Sequence, residues 1–314
     1  METVWGDIAV SDAHIHFFSH SFLAALGGLK GGMPASAVAE VAGWEAPPED
    51  PGLFADRWVS ELDRHGVESA VVIASLPGDE ASVISAVQRH PRRLAGYFFV
   101  NPLLRDAPER TSAGLDAGLK GVCLFPAMQA YSLHDERATK IIEIAAAHPG
   151  AVVFVHCGVL TVGIRKKLGL PSRFDLRYSN PVDLHAIALR FPELPFVIPH
   201  FGAGYLREAL MVADLCPNVY LDTSSSNSWI KYQPEPLELR QVFERALAVT
   251  GPERLLFGTD STYFPKGWNA NVFRDQVEAL SRLGIEAGDA ARIFGGNLRR
   301  LLRLPEKVRS NPPL

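Results

Sequence analysis

Cysteine is scarce in this chain: Cys123, Cys157 and Cys216 are three in 314 residues. Their odd number, wide spacing and lack of any CxxC pair argue against a disulfide framework and against a thiolate zinc site. They read instead as small buried apolar residues. Basic charge is not in excess either. Lys and Arg total 31 against 35 Asp and Glu, for a formal net charge of -4, so a phosphate backbone is not an expected partner. No uninterrupted apolar run approaches the roughly 20 residues that a membrane-spanning helix needs. The opening METVWGDIAV lacks the basic stretch and apolar core of a secretion signal, and a cytoplasmic protein is expected. Neither GxGxxG nor GxxxxGKS/T occurs, and internal repeats and low-complexity tracts are absent. A nucleotide-binding open sheet thereby loses its main support.

What is present is ordinary globular composition, 47% hydrophobic and 21% charged, laid out as short apolar runs alternating with longer amphipathic segments. Eight runs stand out: 8–16, 69–76, 94–100, 119–125, 151–157, 195–201, 218–224 and 254–260. Most are nearly continuous in Val, Ile, Leu and Phe, as strands covered on both faces must be. Between them lie helical stretches at 53–66, 81–90, 135–148 and 180–191, several ending at Gly or just before Pro. Eight strands each followed by a helix predict one α/β domain over residues 1–314, a (β/α)8 TIM barrel, with a doubly wound sheet as the fallback. Residues 19–52 and 158–180 break the rhythm and are expected to build or cover the active site as long loops after strands one and five. The tail KVRSNPPL (307–314) is read as a frayed end.

Side chains alternate along a strand, so His14 and His16 in DAHIH should point together into the barrel mouth. HxH alone is a weak motif; its context strengthens it. His156 ends the fifth run, His200 the sixth and Asp260 the eighth, positions that converge in a closed barrel. The remaining histidines provide a control. His65, His90 and His148 fall at helix ends, where an imidazolium complements the helix dipole. His134 falls at a helix start, His185 within a helix and His20 in the loop after strand one. Only His14, His16, His156 and His200 cluster at strand ends. His14, His16, His156 and Asp260 form a ligand set of intermediate character, suited to one divalent metal, with zinc as the default and Mn, Fe, Co or Ni compatible. Asp260 then serves the reaction as well as the metal. His200 is placed as general base or proton shuttle, with a fifth ligand as the alternative.

The segments DAHIHF, GLKGVCLFPAMQAYSLHDE, FVHCG, RFPELPFVIPHFG, FGTDS and IFGGNLRRLL, running in that order from about residue 9 to residue 303, together resemble the amidohydrolase-related family. That family includes aminocarboxymuconate semialdehyde decarboxylase, aromatic-acid decarboxylases and several lactone or amide hydrolases. The resemblance implies a barrel of the metallo-dependent hydrolase type, ligands at His14, His16, His156 and Asp260, a catalytic histidine at His200, and a homodimer. Binuclear relatives carry a carbamylated lysine at the end of strand four. Here that end reads CLFPAM and Lys120 sits at the strand's beginning, so a mononuclear site is expected.

Further candidates surround this set. Asp12 should share a face with His14 and is placed either as a hydrogen-bond partner of a ligand imidazole or as a structural interior residue. Ser261, Thr262 and Tyr263 follow Asp260 and are candidates for substrate contact or for plain loop packing. Arg165, Lys166, Lys167, Arg173 and Arg177 offer a clamp for a substrate carboxylate, or a solvated basic loop. Trp44, Trp229 and Trp268 are candidates for an aromatic wall. The small-molecule reaction expected first is hydrolysis of a lactone, ester or amide, because no Arg or Lys adjoins the ligand positions. Non-oxidative decarboxylation of an aromatic or unsaturated acid is the alternative, and a non-catalytic metal-holding barrel is a third reading.

Overall fold

The computed structural model describes residues 1–172, 174–224 and 227–304. Arg173 and the tail read as frayed fall outside the described residues. Eight parallel strands follow one another around a single sheet in chain order: β1 (Ser11–Phe17), β2 (Ser69–Ala74), β3 (Leu94–Phe99), β4 (Gly121–Leu124), β5 (Val152–Val155), β6 (Phe196–Ile198), β7 (Val219–Asp222) and β8 (Leu255–Leu256). The ring is closed between last and first strands. Ala13 donates to the Phe257 carbonyl at 2.7 Å, Asp260 to that of His14 at 3.0 Å and His16 to that of Ser261 at 2.8 Å. The fold is the (β/α)8 barrel.

Every predicted run contains a strand, but after β1 the strands stop short of the runs' C-terminal ends. The cause is local and functional. His200 and Phe201 adopt φ of 55° and 52°, and Asp260 a φ of 54°, a left-handed conformation that no ladder accommodates. His200 and Asp260 have left the sheet to reach the mouth, whereas His14 and His16 stay within β1.

Alternation sorts the apolar side chains into two cores. Val71, Ile73, Tyr97, Phe99 and Phe154 point inward and pack with Leu298 and Leu302, which belong to the terminal helix. Val72, Phe98, Val153, Ile198 and Leu255 point outward under the helices. The helices run α1 (His20–Gly28), α2 (Ala35–Ala42), α3 (Pro51–His65), α4 (Glu80–Arg89), α5 (Ala107–Asp116), α6 (Pro126–Gln129), α7 (Glu136–Ala146), α8 (Gly163–Lys167), α9 (His185–Arg190), α10 (Leu206–Leu215), α11 (Leu239–Thr250), α12 (Ala270–Arg282), α13 (Ala287–Ala291) and α14 (Asn297–Leu302).

The segment 19–52, expected as a long loop, is largely helical. Ser19 caps α1 by accepting from Phe22 N at 3.1 Å, and His20 is the first residue of that helix rather than a loop residue. The alanine-rich α2 buries Ala35, Val38, Ala39 and Ala42. Together with Ile164 and Leu168 from the segment after β5, α1 and α2 enclose a third, separate apolar core. The two long insertions therefore pack on each other, as Lys167 Nζ donating to the Ala42 carbonyl at 2.5 Å also records.

Candidate metal centre

The register of β1 against β2 shifts between Asp12 and Ile15. That irregularity lets Ala13 join the inner core while His14 and His16 both face the mouth. Their Nε2 atoms lie 3.4 Å apart. Asp260 Oδ1 lies 3.2 Å from His16 Nε2 and 3.7 Å from His14 Nε2. These three residues offer ligand atoms all within 4.8 Å of one another.

The opposite ring nitrogens are committed elsewhere. His14 Nδ1 lies 2.7 Å from Asp222 Oδ2 and 2.8 Å from Ser224 Oγ, and His16 Nδ1 lies 2.6 Å from Ser75 Oγ. With Nδ1 protonated toward those acceptors, both Nε2 lone pairs face each other and a carboxylate. Such an arrangement is repulsive and is relieved by a positive charge, either a bound cation or a proton on His14.

His156 stands outside this tight trio. It is buried, stacks on Phe125 at 5.3 Å between centroids, and its Nε2 has no hydrogen-bond partner among the described residues. A buried ring nitrogen left bare is costly unless it meets a ligand. Burial, with His200 and His14 beside it, pushes the His156 pKa well below the ordinary imidazole value, so its lone pair stays free. Burial disfavours the charged Asp260, but His16, His14 and His200 more than offset it and hold the carboxyl far down, as an anion. Asp222 behaves likewise, its burial outweighed by His14. Burial opposes a charge on His14 too, yet Asp222 and Asp260 raise its pKa overall.

His200 closes the far side. Its ring sits 5.0 Å from that of His14 and 5.4 Å from that of His156, centroid to centroid. Its Nδ1 donates to the Ser224 carbonyl at 2.7 Å, which leaves Nε2 as the acceptor. Burial lowers its pKa, Asp260 pulling the other way and His14 reinforcing the drop. The lowering favours the neutral imidazole of His200.

Three supporting residues escaped the sequence reading: Asp222, Ser224 and Ser75. Asp222 ends its strand inside one of the apolar runs, and that was the available signal. Gly258 makes the approach possible, because a Cβ there would stand 2.9 Å from both His14 Cβ and Ser224 Cβ and 3.0 Å from Asp222 Oδ1.

Asp12 does not touch a ligand imidazole. The register shift breaks the parity that the i, i+2 spacing implied, and its carboxylate accepts from His14 N at 2.9 Å, Thr259 N at 3.1 Å, Thr259 Oγ1 at 2.5 Å and Trp268 Nε1 at 2.7 Å. Burial raises its pKa to about 6, with Thr259, the His14 amide and Trp268 pulling it back. Trp268 is thus a buried structural donor, and Trp229 is buried in the outer core. Neither forms a wall. Trp44 is half-buried, sandwiched between Phe18 at 5.4 Å and Tyr263 at 4.6 Å, and Phe18 in turn stacks on His16 at 5.2 Å. Ser261 is buried in loop packing, with Oγ 2.6 Å from Thr259 Oγ1. Thr262 lies beside it, half-buried.

Three of the residues offered as a cationic clamp are engaged elsewhere, and Arg173 lies outside the described residues. Arg165 Nε donates to the Pro171 carbonyl at 2.8 Å, Lys167 to Ala42, and Arg177 pairs with Asp175 at 2.5 Å; Lys166 is exposed. Lys120 precedes β4, at the end of the barrel away from the histidines. A cleft of about 280 Å³ bounded by Leu206, Met211 and Arg245 opens among the outer helices, not at the strand ends.

This pairing of a closed eight-stranded barrel with a His-His-Asp cluster at its mouth coincides with a family match: the model described as Amidohydrolase covers residues 11–304. The chain belongs to the amidohydrolase family. A curated relative, Protein fluG of Emericella nidulans, is 33% identical over 144 residues, which make up 42% of this chain and only 16% of that protein. Solved structures resemble the amidohydrolase fold throughout. A probable 2-pyrone-4,6-dicarboxylic acid hydrolase from Acinetobacter baumannii is 16% identical at a TM-score of 0.60, covering 94% of this chain and 100% of its own. An amidohydrolase from Burkholderia multivorans with bound zinc is 17% identical at 0.60, with 95% and 100% covered. The 5-carboxyvanillate decarboxylase LigW2 from Novosphingobium aromaticivorans, with bound manganese, is 15% identical at 0.60, with 95% and 97% covered. Among the described residues no helix is long and apolar enough to cross a membrane.

Proposed function

We propose that His14, His16, His156 and Asp260 hold one divalent metal, zinc by preference, and that the protein uses it to hydrolyse a small lactone, ester or amide. The observation that carries this reading is the pair of imidazole Nε2 atoms 3.4 Å apart, with a carboxylate oxygen 3.2 Å from one of them and their Nδ1 atoms already engaged. Three nitrogens and one carboxylate suit zinc and also manganese; zinc and manganese are the metals held by the Burkholderia and Novosphingobium neighbours. When bound, such a metal polarises a substrate oxygen and makes water more acidic.

The chain's own residues supply the rest. His200, neutral and with Nδ1 fixed by the Ser224 carbonyl, presents Nε2 to take a proton from the attacking water and return it to the leaving oxygen or nitrogen. Asp222 and Ser75 orient the two strand-one imidazoles so that their Nε2 atoms converge. Hydrolysis is favoured over decarboxylation because Arg165, Lys167 and Arg177 are each engaged away from the histidines, whereas expelling CO2 needs an oriented substrate carboxylate.

Elemental analysis should find about one transition metal per chain. Replacing His200 by Asn should keep that metal and lower turnover by about 10²-fold or more. A screen of lactones, amides and hydroxylated aromatic acids, following acid formation and CO2 release separately, tests the reaction class. Metal-dependent CO2 release lost with His200→Asn would make the protein a carboxy-lyase. A homodimer, also proposed, is tested by a sizing measurement.

A further inference from the structure

The β1–β8 seam carries a buried polar network that the reaction does not itself require. Asp260 must keep a φ of 54°, which L side chains rarely adopt, to aim its carboxylate at His14 and His16. Its two chain neighbours are fully buried and pinned. Thr259 gives both its amide and its hydroxyl to Asp12, and Ser261 Oγ lies 2.6 Å from the Thr259 hydroxyl and accepts from Asn269 N at 2.9 Å. The same Asp12 carboxylate accepts the amide of His14. Trp268 anchors it from behind, with its indole on Asp12 at 2.7 Å and its backbone amide on Glu61 Oε1 at 2.9 Å. A carboxylate wholly withdrawn from water is costly to bury, and here it links the backbones on either side of two proposed ligands.

We propose that Thr259 and Trp268, acting through Asp12, are positioning residues that hold Asp260 in its ligand geometry against His14 and His16. The inference rests on the metal reading above. It predicts that loosening the network weakens metal binding without removing a ligand, by the 10–100-fold typical of groups that orient ligands.

The test titrates metal-stripped protein with cobalt(II), following its visible absorption. Thr259→Val and Trp268→Phe should weaken cobalt binding about 10-fold or more and alter the spectrum, while Thr259→Ser, which keeps the hydroxyl, should restore both. Trp58→Phe is the control: Trp58 is fully buried in the outer core, and its indole nitrogen has no partner among the described residues. It should lower the thermal midpoint and leave cobalt binding alone. Cobalt affinity and spectrum unchanged in Thr259→Val and Trp268→Phe, or changed equally in Trp58→Phe, overturn the proposal. Hydrogen exchange of the Asp260 and His16 amides in metal-free protein separates this from failure of the metal reading. Even if wild type takes up no cobalt, faster exchange in Thr259→Val than in Trp58→Phe supports the tether, and equal exchange overturns it.

Discussion

At the scale of single residues, the candidate site is a problem of tautomers. Each imidazole has one nitrogen for the metal only if the other is fixed, and Asp222 fixes His14 at 2.7 Å. Replacing Asp222 by Asn keeps the shape but presents an amide, whose orientation decides whether His14 Nδ1 meets an acceptor or a donor. Metal affinity should fall about 10- to 100-fold, measured by competition with a chelator, while the thermal midpoint of the metal-free protein changes little by comparison. Gly258→Ala should be worse for fold and metal alike, since the added Cβ sits 2.9 Å from His14 Cβ and a buried backbone gives way poorly. The ligand-type residues were legible in the sequence because they end apolar runs. Asp222 lies near the end of one as well, but its role depends on which imidazole stands opposite, and that pairing spans 208 residues of chain. Of the two places the spacing left open for Asp12 the structure takes the structural one; the spacing could not choose, because it assumes an unbroken pleat and the register shift before Ile15 is invisible in letters.

At the scale of elements, the helices were readable where amphipathic periodicity was strong, as in α3 and α7, and missed in α1 and α2, where small residues blur the pattern. Those two helices are stabilised by packing rather than by propensity. Leu23 is fully buried in their separate core, so Leu23→Ala should cost about 2–5 kcal/mol, appearing in hydrogen exchange as earlier opening of residues 20–42 than of the barrel strands. Just beyond α7, His148 gives a test with a sign. Its pKa is raised chiefly because Nδ1–H donates to the Ile144 carbonyl at 2.7 Å, burial opposing and Asp116 at 3.1 Å adding. The folded state therefore binds the proton more tightly than the unfolded chain, whose imidazole titrates near 6.5. The stabilisation is complete below that value and is lost as pH rises through the higher folded pKa. Thermal midpoints of His148→Asn and wild type should differ most near pH 5.5 and converge by pH 9.

At the scale of the whole molecule, eight apolar runs were enough to give the barrel, since parallel strands buried on both faces have a composition that few other arrangements share. The sequence could not show how the ring closes. β8 holds two residues, and the seam to β1 depends on the bonds of Ala13, His16 and Asp260. The proposed metal would bridge that seam, so stripping it should lower the thermal midpoint. Restoring free metal to about 1,000 times its Kd should recover about 4 kcal/mol, read from the concentration dependence of the midpoint.

The seam also fixes an order of events during synthesis. His14 and His16 leave the ribosome before Asp260, separated from it by more than two hundred residues of intervening chain. Until Asp260 emerges the proposed set lacks its carboxylate, and the two early imidazoles would bind metal only as weakly as a short exposed peptide can. Tight metal capture by the proposed set would therefore wait for residue 260, and a ribosome stalled anywhere before it would display a chain that holds metal only weakly.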